Sequence, residues 1–255
     1  FTGQNVVGNP YAPETIDPQV VKIAQNAAHY AVQKPDEVTD LVDFKQPEIS
    51  DTDLKAPIYI DFGPTSLSAT PWNNITSHQE SSTTSWIKDV ENNYTNIGVR
   101  VLDGFTATHA GVGSEPASPV TVDGVEFPLT AWKDGLLVKG EKNQGDVGPG
   151  RIEISQLDVA RKYNFTILAI RFNGSKDARI SSYKLVGKTE SAVKEVKTGI
   201  KDAASFAAAN FEEYIAKFEN VEPDSEGKVI VEVKGLDTGS AAEGHINALC
   251  ISLAK

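Results

Sequence analysis

The sequence predicts an all-β sandwich of two antiparallel sheets preceded by an N-terminal helical extension, and three observations carry that prediction. Residues Tyr163 to Phe172 are apolar on both faces, with Phe165, Ile167 and Ala169 on one and Leu168, Ile170 and Phe172 on the other. A strand packed on both sides reads this way, whereas an edge strand does not. Asn173-Gly174-Ser175 then breaks the run, and Ile180, Tyr183, Leu185 and Val186 read as a return strand ending at Gly187. Short alternating runs such as Ile58 to Phe62 and Lys228 to Lys234 recur between clusters of Gly, Pro, Asn and Ser.

In chain order, residues 1 to 17 form an extended lead, and Asp17-Pro18 offers a helix N-cap with proline at the first helical position. The expected helix, 18 to 33, carries Val20, Val21, Ile23, Ala24, Ala27, Ala28 and Ala31 on one stripe and stops before Lys34-Pro35. That stripe, with Val20, Ile23, Ala27 and Ala31 at its centre, is expected to dock against another surface. Residues 35 to 56 read as a linker, so the chain divides into an extension, 1–56, and a sandwich domain, 57–255. Ile58 to Phe62 is the first strand, closed by Gly63-Pro64, and a polar loop holding Trp72, Asn73 and Asn74 runs to Ser85. Trp86 to Val90 and Ile97 to Leu102 read as strands, with Trp86 in the core, and Leu136 to Lys139 and Arg151 to Ile154 follow. Lys188 to Lys201 reads as a strand with Val193 and Val196 inside, and Asp202 to Asn210 as a brief helix. Glu212 to Val221 suits a helix through Tyr214, Ile215 and Phe218, or a strand through Tyr214, Ala216 and Phe218. Its setting favours a strand, paired as a hairpin with Lys228 to Lys234 across the turn Pro223 to Gly227. His245 to Leu253 closes the domain.

The 255 residues suffice for a sizeable core, and no apolar run approaches the ~18 residues that a membrane helix needs. A net charge of −11, with the basic residues interspersed among acids, argues against nucleic acid and anionic membrane surfaces as partners. The single cysteine, Cys250, excludes an intrachain disulfide and a cysteine metal cluster, and its apolar neighbours place it in the core as an inert thiol. His29, His78, His109 and His245 lack metal-ligand spacing, and there is no Gly-x-Ser-x-Gly elbow. Gly187-Lys188-Thr189 ends like a phosphate-binding loop, but Ser182 stands where the first glycine belongs. The chain begins at Phe1 and has no methionine, which together with its Asn-, Ser- and Thr-rich loops suits an exported protein, extracellular, surface-bound or periplasmic.

The order Ile58-Tyr59-Ile60-Asp61-Phe62-Gly63, Pro71-Trp72-Asn73-Asn74-Ile75, Asp103-Gly104-Phe105, Ile154-Ser155-Gln156-Leu157, Tyr163-Asn164-Phe165-Thr166, Tyr183 to Gly187, Val221 to Asp224 and Ile246-Asn247-Ala248-Leu249 resembles the galactose-binding-like jelly-roll domains. These are secreted beside carbohydrate-active proteins of bacteria, notably Bacteroidetes. The likeness spans residues 57 to 255 and implies a jelly-roll whose ligand meets loops at one end or a concave sheet face. It implies a carbohydrate partner in a glycan-utilisation system, or an adjacent catalytic domain against which the module packs. A structural calcium, which such domains often hold, is left open. Asp61 and Asn247 lie at the matching strand ends without a dense ligand set, so the metal ligands are unknown and no other cofactor is expected.

Against that background the ligand-binding candidates are Trp72, Asn73, Asn74, Trp132 and Arg171. An exposed indole stacks on the CH face of a sugar while amides bond its hydroxyls; the bland alternative is that each tryptophan plugs the core. Arg171 interrupts an apolar strand, with Arg179 just beyond, and either grips an acidic or neutral sugar or forms a structural ion pair. Asp103, Asp123, Glu126, Asp134, Glu153, Asp177 and Asp237 contain the carboxylates from which a glycosidase pair would come, though most sit in turns where Asp is expected anyway. The leading expectation is a non-catalytic carbohydrate-binding module. The alternatives are a glycoside hydrolase or carbohydrate esterase on the same scaffold, and a structural or adhesion module without ligand.

Overall fold

A computed structural model describes residues 21, 24, 25, 28, 54–139, 149–172, 179–236 and 243–255. The chain divides into two compact units, Phe1–Glu48 and Ile49–Lys255. In the first, Val21, Ala24, Gln25 and Ala28 are helical, while Val20, Ile23, Ala27 and Ala31 lie outside the described residues. Among the described residues no helix is long and apolar enough to cross a membrane.

The second unit is a β-sandwich. Its strands are β1 (Ile58–Phe62), β2 (Trp72–Ile75), β3 (Thr83–Thr84), β4 (Gly98–Asp103), β5 (Ala107–His109), β6 (Val120–Val122), β7 (Val125–Phe127), β8 (Gly135–Lys139) and β9 (Gly150–Ser155). They continue as β10 (Tyr163–Leu168), β11 (Arg171–Phe172), β12 (Ile180–Val186), β13 (Lys194–Lys197), β14 (Gly199–Ile200), β15 (Ile215–Val221), β16 (Val229–Gly235), β17 (Glu243–Ile246) and β18 (Ala248–Leu253). One sheet has the order β15-β10-β18-β1-β2, and the other β13-β12-β16-β9-β4-β3. Pairing is antiparallel within both, except that β1 and β2 run parallel. From β9 onward the long strands β9, β10, β12, β15, β16 and β18 alternate between the sheets, as in a jelly-roll.

The period of two decides what each strand buries. Ile58, Ile60 and Phe62 of β1, Phe165 and Ile167 of β10, and Leu249 and Ile251 of β18 face Ile152, Ile154, Leu185, Val229, Val231 and Val233 in one core between the sheets. The opposite face of the five-stranded sheet is apolar too. Leu168, Ala248 and Cys250 belong to a second core, closed over by Val120, Val122, Phe127, Trp132, Phe206 and Tyr214 from the β6–β7 hairpin, two short helices, Leu129–Trp132 and Ala203–Ala207, and the 3-10 turn Phe211–Tyr214. Tyr163 to Phe172 is therefore interior as expected, packed on both faces, but it is not one strand. After Leu168 it leaves the sheet, Ile170 N–H donates to Asn247 Oδ1 at 2.8 Å, and Arg171–Phe172 pairs in parallel with Gly199–Ile200.

Other expectations change for the same reason. Ile180–Val186 is not the hairpin partner of β10: it pairs with β13 and β16 in the opposite sheet. Ile215–Val221 likewise pairs with β10, and Val229–Gly235 with β12 and β9, so the turn near Asp224 is a crossing between sheets rather than a hairpin. Asp224 Oδ1 holds that crossing by accepting from the Glu226 and Lys228 amides at 2.8 and 2.9 Å. The segment Glu212–Tyr214 is a 3-10 turn capped by Asn210, and the strand starts at Ile215. Val193 is outside, 58% exposed, whereas Val196 is buried. Trp86 lies in no strand; its φ of +53° turns it out of register, and it is half-buried. His245 to Leu253 is split at Asn247 into β17 and β18, which belong to different sheets.

Candidate functional site

One register line crosses all five strands of the first sheet. Lys217 pairs with Thr166, Thr166 with Cys250, Cys250 with Tyr59, and Tyr59 with Trp72. Side chains on one rung of a sheet point the same way, and these are set opposite the inter-sheet core. The row therefore lies on the outer face, with a cation at one end, two aromatic rings at the other, and a hydroxyl and a thiol between them. Tyr59 and Trp72 have ring centroids 5.0 Å apart, tilted 37°, and Trp72 leans on Phe127 at 5.7 Å.

The β6–β7 hairpin makes the wall. Its two-residue turn, Asp123-Gly124, has φ of +51° and +75°, the left-handed pair that a tight hairpin of Asp-Gly type demands. Asp123 Oδ2 reaches Lys217 Nζ at 2.5 Å, and Glu212 holds the same ammonium at 2.7 Å. The result is a cleft of about 220 Å³ lined by Tyr59, Asp123, Val125, Asn164, Thr166, Lys217, Glu219, Cys250 and Ser252, among others. Burial, with the Cys250 thiol nearby, raises the Tyr59 phenol, so it remains a neutral donor. Burial also pushes the Cys250 thiol up, which keeps it from acting as a nucleophile.

Of the ligand-binding candidates, only Trp72 lies beside this cleft, half-buried and paired in register with Tyr59, while Asp123, one of the candidate carboxylates, lines it. Asn73 is a clamp: its Nδ2 donates to Tyr59 O and Lys88 O at 2.9 and 2.8 Å, and its Oδ1 accepts from Lys88 N–H. Asn74 exchanges both bonds with the Ser68 backbone, at 2.8 and 3.0 Å. Both amides are thus engaged at their oxygen and nitrogen ends in holding the backbone. Trp132 is 0% exposed and stacked on Phe206 at 4.9 Å, with its indole N–H donated to Ser118 O. A buried indole offers no face to a ligand, so the expected platform of two tryptophans is not formed. Arg171 lies away from the cleft, bonded through Nη1 to Ala110 O at 2.8 Å and beside His109 Nδ1 at 3.1 Å. Asp177 and Asp237 lie outside the described residues.

The strand ends that matched a calcium position are occupied otherwise. Asn247 is fully buried, donates to Trp132 O and Asp134 O at 2.9 and 2.6 Å, and accepts from Ile170 N–H. Asp61 and Asp134 are both fully buried; Asp61 Oδ2 accepts from Ser68 N–H, and Asp134 Oδ2 from the Thr65 and Ser66 amides. Only their Oδ1 atoms are left without partners, two oxygens where calcium takes about six to eight. These residues do not fit a calcium ion. Instead burial, with the Asp134 charge nearby, raises the Asp61 carboxyl to about 7, and burial raises Asp134 as well. Among the described residues no group of three or more His, Cys, Asp or Glu side chains is placed to hold a metal.

Sequence reasoning missed Tyr59, Thr166 and Lys217, and it named Asp123 only among the carboxylates from which a glycosidase pair would come. Alternation put Tyr59 and Thr166 on the outer faces of their strands, and Asp123-Gly124 was legible as a turn. That β15, β10, β18 and β1 lie side by side is a property of the folded sheet alone.

No protein-family model and no curated protein matches the chain. Solved structures with similar architecture include the carbohydrate-binding module TmCBM61 in complex with β-1,4-galactotriose, at 13% identity and a TM-score of 0.28, covering 48% of this chain and 71% of that one. The ANX2 ectodomain from Arabidopsis thaliana follows at 8% identity and a TM-score of 0.41, covering 69% and 48%. Protein YXIM from Bacillus subtilis has 10% identity and a TM-score of 0.39, covering 78% and 40%. The chain thus spans about half the length, or less, of the last two.

Proposed function

We propose that this chain is a non-catalytic carbohydrate-binding module that takes its ligand on the outer face of the five-stranded sheet. The observation that supports this is the row Lys217, Thr166, Cys250, Tyr59 and Trp72, roofed on one side by the Asp123 hairpin. A sugar offers a CH face and a ring of hydroxyls. The row offers aromatic edge and face at one end, and Thr166, Ser252, Asn164, Lys217 and Asp123 as donors and acceptors along the rest. The row crosses all five strands, which suits a chain of sugar units better than a small cofactor. In this reading the protein works outside the cell, where polysaccharide is found, and holds glycan for an adjacent or separate catalytic protein.

Affinity electrophoresis on a polysaccharide panel, followed by a glycan array, tests this. Tyr59→Ala and Trp72→Ala should abolish retention, with Trp72→Ala lowering stability less than truncation of a fully buried tryptophan, because its ring is half-buried against Tyr59 and Phe127. Trp132→Ala should behave in the opposite sense, destabilising by roughly 3–5 kcal/mol. A correctly folded protein that is retained by no glycan sinks the proposal, and turnover of chromogenic glycosides or acetyl esters would replace it with an enzymatic one.

A further inference from the structure

A second polar assembly lies at one end of the sandwich, away from the cleft, and its residues close a circuit. Arg171 N–H donates to Thr198 O at 2.5 Å, and Thr198 N–H donates to Arg179 O at 2.9 Å. Arg179 Nη2 lies 3.1 Å from Glu243 Oε2, which lies 3.7 Å from His245 Nε2. The His245 ring meets His109 edge-on, centroids 4.9 Å apart, and His109 Nδ1 returns to Arg171 Nη1 at 3.1 Å. Six residues from separate parts of the chain are thus joined in one assembly. Arg179 is 3% exposed, and Thr198 and His245 are 0% exposed.

The circuit has too few acceptors for its donors. Arg171 Nε, Arg179 Nε and Nη1, and Thr198 Oγ1 are buried without a hydrogen-bond partner among the described residues, as are both ring nitrogens of His245. Burial and the neighbouring guanidinium groups push His109 down to about 3 and His245 well below the usual imidazole range, so both rings are neutral. Among the described residues, Glu243 is the carboxylate paired with Arg179. Glu115, which balances charge within electrostatic reach of Arg171, has its oxygens committed to the amides of Val112 and Gly113, so it accepts from none of the idle guanidinium N–H groups. Arginine cannot shed its proton, and a buried cation with idle donors is costly unless something accepts from them.

We propose that the circuit of Arg171, Arg179, Thr198, Glu243, His245 and His109 encloses a small inorganic monoanion of chloride size, bound by the idle guanidinium N–H groups and the Thr198 hydroxyl. A small monoanion accepts from several of these donors at once and adds less negative charge beside Glu243 than a dianion such as sulfate would, and the burial of Arg179, Thr198 and His245 leaves no path for a sugar. The site is structural: it stabilises the junction of β11, β14 and β17, and it stands whether or not the cleft binds glycan.

The test uses the full chain with bromide as probe. Crystals grown in sodium bromide should show one anomalous peak inside the circuit, within hydrogen-bonding distance of Arg179 Nη1. Thermal unfolding at fixed ionic strength should rise steadily as gluconate is exchanged for chloride, since a ligand bound only by the folded state stabilises it by mass action. Thr198→Val keeps the backbone bonds and removes one donor, so it should fold and weaken halide affinity about tenfold, as expected for one hydrogen bond to a charged group. Water in place of bromide at the circuit, or identical unfolding in chloride and gluconate, overturns the proposal. So does halide dependence that is unchanged in Thr198→Val.

Discussion

Asn247 stands between two buried clusters of opposite charge, and they solve the same electrostatic problem differently. On one side its amide donates to Asp134 O, beside the Asp61 and Asp134 carboxyls; on the other its Nδ2 lies 3.5 Å from His109 Nε2, in the arginine circuit. Both clusters are enclosed, and both carry unpartnered polar atoms. A carboxyl can leave the problem by taking up a proton, and with Asp61 raised to about 7 the acidic side does so at neutral pH. A guanidinium has no such exit. The acidic side is therefore complete with hydrogen ions alone, while the basic side calls for a counter-ion, and the contrast follows from the chemistry of the two groups rather than from their depth.

The largest break in that comparison should come from its hinge. Asn247→Leu keeps the branched shape, adds bulk, and strands the Ile170 amide and two carbonyls, those of Trp132 and Asp134, which together should destabilise by about 3–5 kcal/mol in chemical denaturation. A loss below about 1 kcal/mol would mean that the two clusters are independent of it.

Next is the acidic side. The folded-state value of Asp61, about 7, lies above its ordinary 3.8, so the folded protein holds this proton more tightly than the unfolded chain. Its stabilising contribution is complete below about pH 4 and is lost as pH rises toward 7, at most roughly 3–4 kcal/mol. Asp61→Asn keeps an acceptor for Ser68 N–H and places a donor near Asp134. It should flatten that slope and leave the variant more stable than the native chain at pH 8. Denaturation midpoints at pH 4.5, 6 and 8 decide the matter, and an unchanged slope would assign the pH dependence elsewhere.

The smallest effect serves as a control for burial. On the outer face of the six-stranded sheet, Glu232 joins Arg151 at 3.0 Å and Lys184 at 3.1 Å, half-buried but within reach of water. Water screens these charges in part, so Lys184→Ala should change stability by no more than about 1 kcal/mol, and less in high salt. A larger loss would blur the distinction between enclosed and exposed charge on which the comparison depends.

What the sequence determined by itself was local. Alternation identified Ile58 to Phe62 and Lys228 to Lys234, and the two-sided apolar run identified Tyr163 to Phe172 as interior, because burial on a pleated strand leaves its period in the residues. Asp123-Gly124 was legible as a turn because few residues tolerate that backbone. Partnership was not local. That β10 and β12 part to opposite sheets and that His245 to Leu253 splits at Asn247 depended on how faces close over one another. Tertiary structure also decided that Trp132 is core while Tyr59 lines the cleft, and that Arg171, Arg179, His109 and His245 meet. Each of those outcomes is set by cross-strand register and sheet order, which join residues far apart in the chain and leave no periodic trace within any one segment.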